Sequence, residues 1–533
     1  MKRIIPLLLC GLILLGGCAG ESESPLVTED APKITLITPD GDLGTIPEAT
    51  LPPETLPEVT TTSPGELVYT VQTYDYGTPE EDFSGLLFEF ESGNLAGGFI
   101  ADDREDYSGS GYVTLDSRTV AVEVTVNIPL PQHYNITVRA ASERPASGTF
   151  RCDGVFSDKE LTLAGTGDYE TVRYDNIYFT EGAHSFVFGT FSDTVDLDCI
   201  YFEISESMTA LDYKVSGGIS NENASDSARA LYKYIAENYG KAVLSGQQCT
   251  QGSNAELEAI YSATGRYPAI RFSDLSGYSS GDDTGDAELM LEWANSGGIV
   301  GYSWYWAISG SLELFDLTAA VTDLDIASMD GGALAQRFQN GDITAETLLV
   351  IDGIDLIAAQ LKKLQQENVP VLFRPMPEAG NGVFWWGKDP ESYLWLYKLL
   401  YERLDFYHGL DNIIWVWNGQ NAEFYPGDDM CDIISLDLYY PEGVDPTQSG
   451  INFMLAVREI SEEKPIALSE CGALPNPDNL AMDKCLWSYV SVWSGGYAMT
   501  DSEISEKYIS KSAWQIFYSC DKVITKDGVE YDR

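Results

Sequence analysis

From Lys241 onward the chain alternates short apolar runs with longer helical patterns, and this alternation constrains the fold more than any other feature. The runs Lys241–Gln247, Pro268–Asp274, Gly298–Trp306, Pro370–Glu378, Asn412–Asn418, Asp432–Tyr439, Pro465–Glu470 and Gly496–Asp501 have strand length. Between them, Ala287–Ala294, Gly353–Gln366 and Glu391–Tyr407 have helical spacing, while Ala228–Asn238 precedes the first run and Glu503–Tyr518 follows the last. Parallel strands require long crossovers, usually helices. Eight β/α alternations within 226–533 therefore predict an α/β fold, a closed (β/α)8 barrel with its chemistry at the C-terminal strand ends. A doubly wound open sheet is the structural rival. No Gly-rich phosphate loop follows any run, which counts against a nucleotide enzyme.

The chain before this region has a different composition, with no Trp ahead of Trp293. Residues 67–205 carry short alternating runs, including Leu86–Glu91, Val120–Val126, Tyr134–Ala140, Ser185–Phe188 and Asp198–Ile204, separated by turn residues. They predict an antiparallel β-sandwich ahead of the barrel. The polar segment 206–225, with Gly217-Gly218 and Asn221-Glu-Asn223, reads as a linker. Residues 18–66 are rich in Pro, Thr, Glu and Asp, with Lys33 the one basic residue of 21–66, and predict a disordered acidic tether.

The first 17 residues read as an export leader: Lys2 and Arg3, then an apolar run from Ile4 to Leu15 too short for a membrane-spanning helix. Leu15-Gly-Gly-Cys18 resembles a bacterial lipobox, implying an extracellular protein held on the cell membrane through a lipidated Cys18; a plain signal peptide is the alternative. Seven cysteines then remain, an odd number that argues against a full disulfide framework; Cys152–Cys199 is a candidate bridge that sequence does not decide. Lys and Arg total 31 against 83 Asp and Glu, a net charge of −52, which repels nucleic acid and anionic surfaces and favours a neutral or cationic substrate. A monomer is expected.

Glu378 and Glu470 each end an apolar run, Val371-Leu-Phe-Arg-Pro-Met-Pro-Glu378 and Ile466-Ala-Leu-Ser-Glu470. Two carboxyls on separate strand ends are what double-displacement cleavage of a glycosidic bond requires: one attacks the sugar carbon, the other protonates the leaving oxygen. Their neighbours are aromatic and polar: Ser303-Trp-Tyr-Trp306, Arg374, Phe384-Trp-Trp-Gly387, Trp415-Val-Trp-Asn418, Asp437-Leu-Tyr439 and Trp493. Sugar rings pack their C–H faces on aromatic rings while charged groups hold their hydroxyls. Trp417 and Trp514 read equally well as packing.

The segments Phe373-Arg-Pro-Met-Pro-Glu378, Phe384-Trp-Trp-Gly387, Ile413-Ile-Trp-Val-Trp-Asn418, Tyr425-Pro-Gly-Asp-Asp429 and Ala467-Leu-Ser-Glu470 resemble glycoside hydrolase family 26 over about residues 225–533. That family consists mostly of β-mannanases, with some lichenases and β-1,3-xylanases. The resemblance implies a retaining endo-β-1,4-mannanase acting on mannan, glucomannan or galactomannan, with Glu378 as acid/base and Glu470 as nucleophile. It places Tyr305, Arg374, Trp385, Tyr439 and Trp493 in the substrate cleft, Arg374 and Tyr439 orienting the nucleophile, and implies no catalytic cofactor. Two positions depart from the family pattern: Pro377 and Tyr305 stand where His is usual. Another β-glycanase specificity, or a capture protein without turnover, are the alternative readings. The β-rich region resembles a family 35 carbohydrate-binding module through Phe88-Glu-Phe-Glu91, Tyr107-Ser-Gly-Ser-Gly-Tyr112 and Val195-Asp-Leu-Asp198. That resemblance implies a structural Ca²⁺ on Glu89, Glu91 and Asp198, hard oxygen ligands of the kind the ion takes.

Overall fold

The computed structural model describes residues 60–532 apart from 64–65, 73, 75, 77–84, 97, 117–120, 153–154, 190, 281–283 and 441–445. The leader, Cys18 and most of the expected tether lie outside the described residues. The tether's last few residues, Thr60–Ser63, pair antiparallel with Glu66–Val68 instead of standing free.

Eight parallel strands form the barrel: β1 (Val243–Gln248), β2 (Ile270–Asp274), β3 (Ile299–Trp304), β4 (Val371–Pro375), β5 (Ile413–Trp417), β6 (Ile433–Leu438), β7 (Ile466–Cys471) and β8 (Tyr489–Val492). Each pairs with the next, and β1 pairs with both β8 and β2, so the ring closes and the open-sheet rival is excluded. A parallel strand in a barrel is covered on both faces, hence the unbroken apolar runs; β4 and β5 are buried at every residue.

The eighth strand lies earlier than the sequence suggested. Tyr489–Val492 closes the ring, whereas Met499–Thr500 and Glu503–Ile504 make only a short antiparallel pair. The true strand is masked in sequence by Ser488 and Ser491, which face buried positions. The helix Ala345–Gln366 also begins earlier than expected, at a capping box of Thr344 and Thr347. Gly353, which read as a helix start, lies mid-helix: a Cβ there would sit 2.5 Å from the Trp306 ring, so the glycine admits that side chain.

The N-terminal body is a sandwich of a five-stranded and a six-stranded sheet, its core built from Phe, Val, Ile and Leu of both sheets. Strands Tyr112–Leu115, Ala146–Cys152, Phe156–Leu163 and Tyr169–Phe179 were not anticipated; the first is only four residues long, and polar or charged residues dilute the apolar pattern of the other three. Cys152 and Cys199 are both buried and do not bridge: Cys152 sits in the core, and Cys199 lies in the other sheet against Asp198. The expected linker is fixed along its length: Glu206–Thr209 is a short helix, the Tyr213 hydroxyl accepts from the Leu486 N–H at 2.9 Å, and the Ser220 N–H donates to Asp432 Oδ1 at 2.5 Å.

Candidate active site

An irregularity in β7 aims the first carboxyl. Leu468 pairs with Leu436 of β6, but the next pair is Glu470 with Asp437, leaving Ser469 as an extra residue. Such a bulge twists the strand and redirects the side chain that follows. Ser469 is held in place: its carbonyl accepts from Gln248 Nε2 at 3.1 Å, and its hydroxyl lies 2.9 Å from that of Tyr489. The Glu470 carboxylate then receives three donors. Arg374 Nη2 and the Tyr305 hydroxyl reach Oε2 at 2.7 and 3.0 Å, and the Tyr439 hydroxyl reaches Oε1 at 2.6 Å. Charge-assisted bonds of this kind fix a carboxylate in one orientation.

The second carboxyl follows β4 on a strained turn. Met376 (φ 49°) and Glu378 (φ 55°) both adopt left-handed backbone around Pro377, a conformation costing on the order of 1–3 kcal/mol per non-glycine residue. The turn is over-determined by its neighbours. The Glu378 N–H donates to the backbone and side-chain oxygens of Asn418 at 2.6 and 2.9 Å, and Trp386 Nε1 donates to the Pro377 carbonyl at 2.9 Å. Pro377 offers no N–H, so Asn418, Trp386 and Asn381, which donates to Glu378 Oε2 at 2.6 Å, set the acid's position.

A third buried acid completes the cluster. Asp437 of β6 accepts from Arg374 Nη1 at 2.7 Å and from Asn418 Nδ2 at 3.0 Å through Oδ1, while Oδ2 has no donor among the described residues. Glu378, Asp437 and Glu470 each bring one oxygen within 4.8 Å of the others, and all three are buried. Three such acids beside the Arg374 cation cannot all ionise at neutral pH. Burial, and next the charge of Glu470, push Glu378 up to about 7, and burial pushes Asp437 up as well. A proton is therefore held on the Glu378–Asp437 side of the cluster, while Glu470 is the carboxyl that receives three donors. The sequence places Asp437 with Tyr439 at the end of this strand but gives a role only to Tyr439, which lies just past β6.

The aromatic residues divide differently from expectation. Trp385, anticipated in the cleft, has no exposed surface: it donates from Nε1 to the Trp306 carbonyl at 2.7 Å and packs on Trp306, Phe315 and Trp386. Its contact with the Glu378 turn runs through Trp386, whose Nε1 holds the Pro377 carbonyl, and it has no surface left for a ligand. Tyr305 sends its hydroxyl to Glu470, so it clamps that carboxylate rather than reaching for a sugar hydroxyl. Trp493, directly after β8, keeps a partly exposed ring edge-on to Tyr305 at 5.7 Å, beside the carboxyl cluster.

In the sandwich, Glu89 Oε2 accepts from the Ser108 hydroxyl at 2.7 Å, Glu91 Oε1 from the Ser110 N–H at 2.7 Å, and Asp198 Oδ1 from the Ser108 N–H at 2.8 Å. Asp198 Oδ2 is ion-paired with Arg139. Glu89 and Asp198 share the Ser108 hydroxyl, but among the described residues only Glu378, Asp437 and Glu470 bring three ligand atoms within 4.8 Å of one another. The sandwich acids do not fit the implied Ca²⁺ as a set, because the Arg139 guanidinium already supplies the positive charge at Asp198.

Residues 220–528 match the model of Glycosyl hydrolase family 26. The chain is 31% identical to a mannan endo-1,4-beta-mannosidase of Thermothelomyces thermophilus, the alignment covering 85% of this chain and 92% of that protein. It is 29% identical to mannan endo-1,4-beta-mannosidase B of a Piromyces species, over 80% of this chain and 76% of the relative. Among solved structures, the Podospora anserina GH26-CBM35 beta-(1,4)-mannanase superposes with a TM-score of 0.61 at 27% identity, covering 84% of this chain and 98% of that one. A ruminal GH26 endo-beta-1,4-mannanase gives a TM-score of 0.60 at 26% identity, over 85% of this chain and 100% of the other.

Proposed function

Because this chain belongs to glycosyl hydrolase family 26, we propose that it is a retaining endo-β-1,4-mannanase that cleaves internal linkages of mannan, glucomannan or galactomannan. The observation that carries this reading is the pair of carboxyls with opposite environments, one oxygen of each within 4.8 Å of the other. Retaining glycosidases hold their acids about 5–5.5 Å apart, whereas inverting enzymes leave about 6.5–9.5 Å for a water. Glu470 attacks the anomeric carbon, and Glu378 gives its proton to the departing glycosidic oxygen. Glu378, then ionised, takes a proton from the water that releases the sugar from Glu470. Arg374, Tyr305 and Tyr439 orient the nucleophile throughout, and Trp493 offers a face to a sugar ring.

The same proposal includes the sandwich as a carbohydrate-binding module and an exported enzyme anchored through Cys18; Cys18→Ser should release the protein into the medium. Reducing-sugar release from a panel of mannans, β-glucans and xylans tests the activity. Release from the mannans alone is the expected result. Release from β-glucan or xylan alone would replace the substrate, and binding to mannan without release would make the chain a capture protein.

A further inference from the structure

Of the eleven tryptophans, only Trp395 and Trp493 are not buried. Trp493 belongs to the catalytic cleft. Trp395 lies on the outside of the barrel, on the helix Pro390–Glu402, whose inner face packs Tyr397 and Tyr401 against Trp415 of β5. Catalysis as derived above makes no use of it.

The surface around Trp395 is built rather than loose. Trp395 Nε1 donates to the Thr322 carbonyl at 3.1 Å. Arg403, just beyond the helix, donates to the carbonyls of Ala327 and Met329 at 2.9 and 3.1 Å and grips Asp355 through Nε and Nη2 at 2.6 and 2.7 Å. The segment 322–329 is thus pinned at both ends, and a cavity of about 790 Å³ lies between it and the helix, lined by Trp395, Phe406 and Tyr407 with Asp323, Asp325 and Glu402. A second cavity, of about 690 Å³, shares Phe406 and Glu402 and continues past Tyr401. Phe406 is the ridge between them and is 58% exposed. The chain makes a wide π-turn over Arg403–Tyr407, a feature often found at functional positions. The Arg403 guanidinium lies 4.2 Å from the centroid of Tyr407 and fixes that ring.

We propose that this double cavity is a second, non-catalytic binding groove for a β-mannan chain; the identity of its ligand rests on the mannanase reading. Three aromatic side chains turned to solvent beside carboxylates and Lys398 match a ligand with apolar C–H faces and many hydroxyls. Carboxylates on the groove and a net charge of −52 turn away polyanions, so the occupant is a neutral polysaccharide. Such a groove holds an insoluble or long chain close to the enzyme while the cleft cuts it.

The test uses the full chain carrying Glu470→Gln, so that polymer is bound but not cut, in native gels poured with soluble glucomannan. Phe406→Ala, at an exposed position that leaves folding intact, should weaken retardation about three- to tenfold, as expected for loss of one stacking face. Trp395→Ala should do so at least as strongly. In the otherwise wild-type enzyme, Phe406→Ala should slow hydrolysis of insoluble mannan and leave turnover of dinitrophenyl mannobioside unchanged. Retardation unchanged in both variants overturns the groove. A wrong substrate reading shows itself separately, as no release from mannan by the wild-type enzyme, and the gels are then repeated with the polysaccharide that is cut.

Discussion

Replacing Glu378 by glutamine should make the protein inactive and more stable, and the gain should appear only as the pH rises. The folded carboxyl is pushed from 4.5 up to about 7, by burial first and by the charge of Glu470 second. Because the folded state holds this proton more tightly than the unfolded chain, the group favours folding below 4.5 and loses that advantage as pH rises toward about 7. At about 1.4 kcal/mol per pH unit, the interval from 4.5 to about 7 amounts to roughly 3 to 4 kcal/mol of destabilisation by the ionised carboxylate above neutrality. The amide carries no charge, still accepts from Asn381, and can donate to the Asp437 oxygen that lacks a donor. Thermal melts of both proteins at about pH 5 and about pH 8.5 should show a difference in Tm that is small at the lower pH and several degrees at the higher. The same proton sets activity: kcat/KM of the wild type should fall as pH rises through about 7, where the acid loses the proton it must donate. A Tm difference that is the same at both pH values would refute the reasoning, and the shared proton would then belong to Asp437.

Tyr305→Phe removes one of three donors to Glu470 and should lower kcat about tenfold or more with little change in KM, measured on a soluble manno-oligosaccharide. Trp493→Ala should instead act mainly on binding, raising KM on the same substrate about tenfold and sparing the carboxylate cluster. Chelation with EDTA should leave the Tm of the full chain unchanged, because Arg139 already neutralises Asp198; a large drop would mean a bound metal ion.

The barrel was legible because buried parallel strands read as unbroken apolar runs, and Glu378 and Glu470 stood out as polar residues ending two of them. What escaped had physical causes of several kinds. Ser488 and Ser491 bury hydroxyls where an apolar run would have marked β8. The bulge at Ser469 is a matter of register between strands, which one sequence does not record. Trp385 sits within an aromatic motif that looks the same whether it lines a cleft or, as here, is buried against Trp306 and Trp386. Tyr305 was placed in the cleft, but whether its hydroxyl meets a sugar or Glu470 depends on a contact between β3 and β7, residues 165 positions apart. Asp437 read as one more strand-end acid; only the closed ring shows that it faces both glutamates and shares Arg374 with Glu470.

The central claim is that Glu470 forms a covalent bond to the sugar while Glu378 supplies the proton. Incubation with 2-deoxy-2-fluoro-β-mannosyl fluoride, whose leaving group needs little protonation and whose fluorine slows hydrolysis of the intermediate, tests it most directly. Peptide mass mapping should find one added fluoromannosyl group, on Glu470. A label on Asp437 or Glu378, or full retention of activity with no label, would contradict the account.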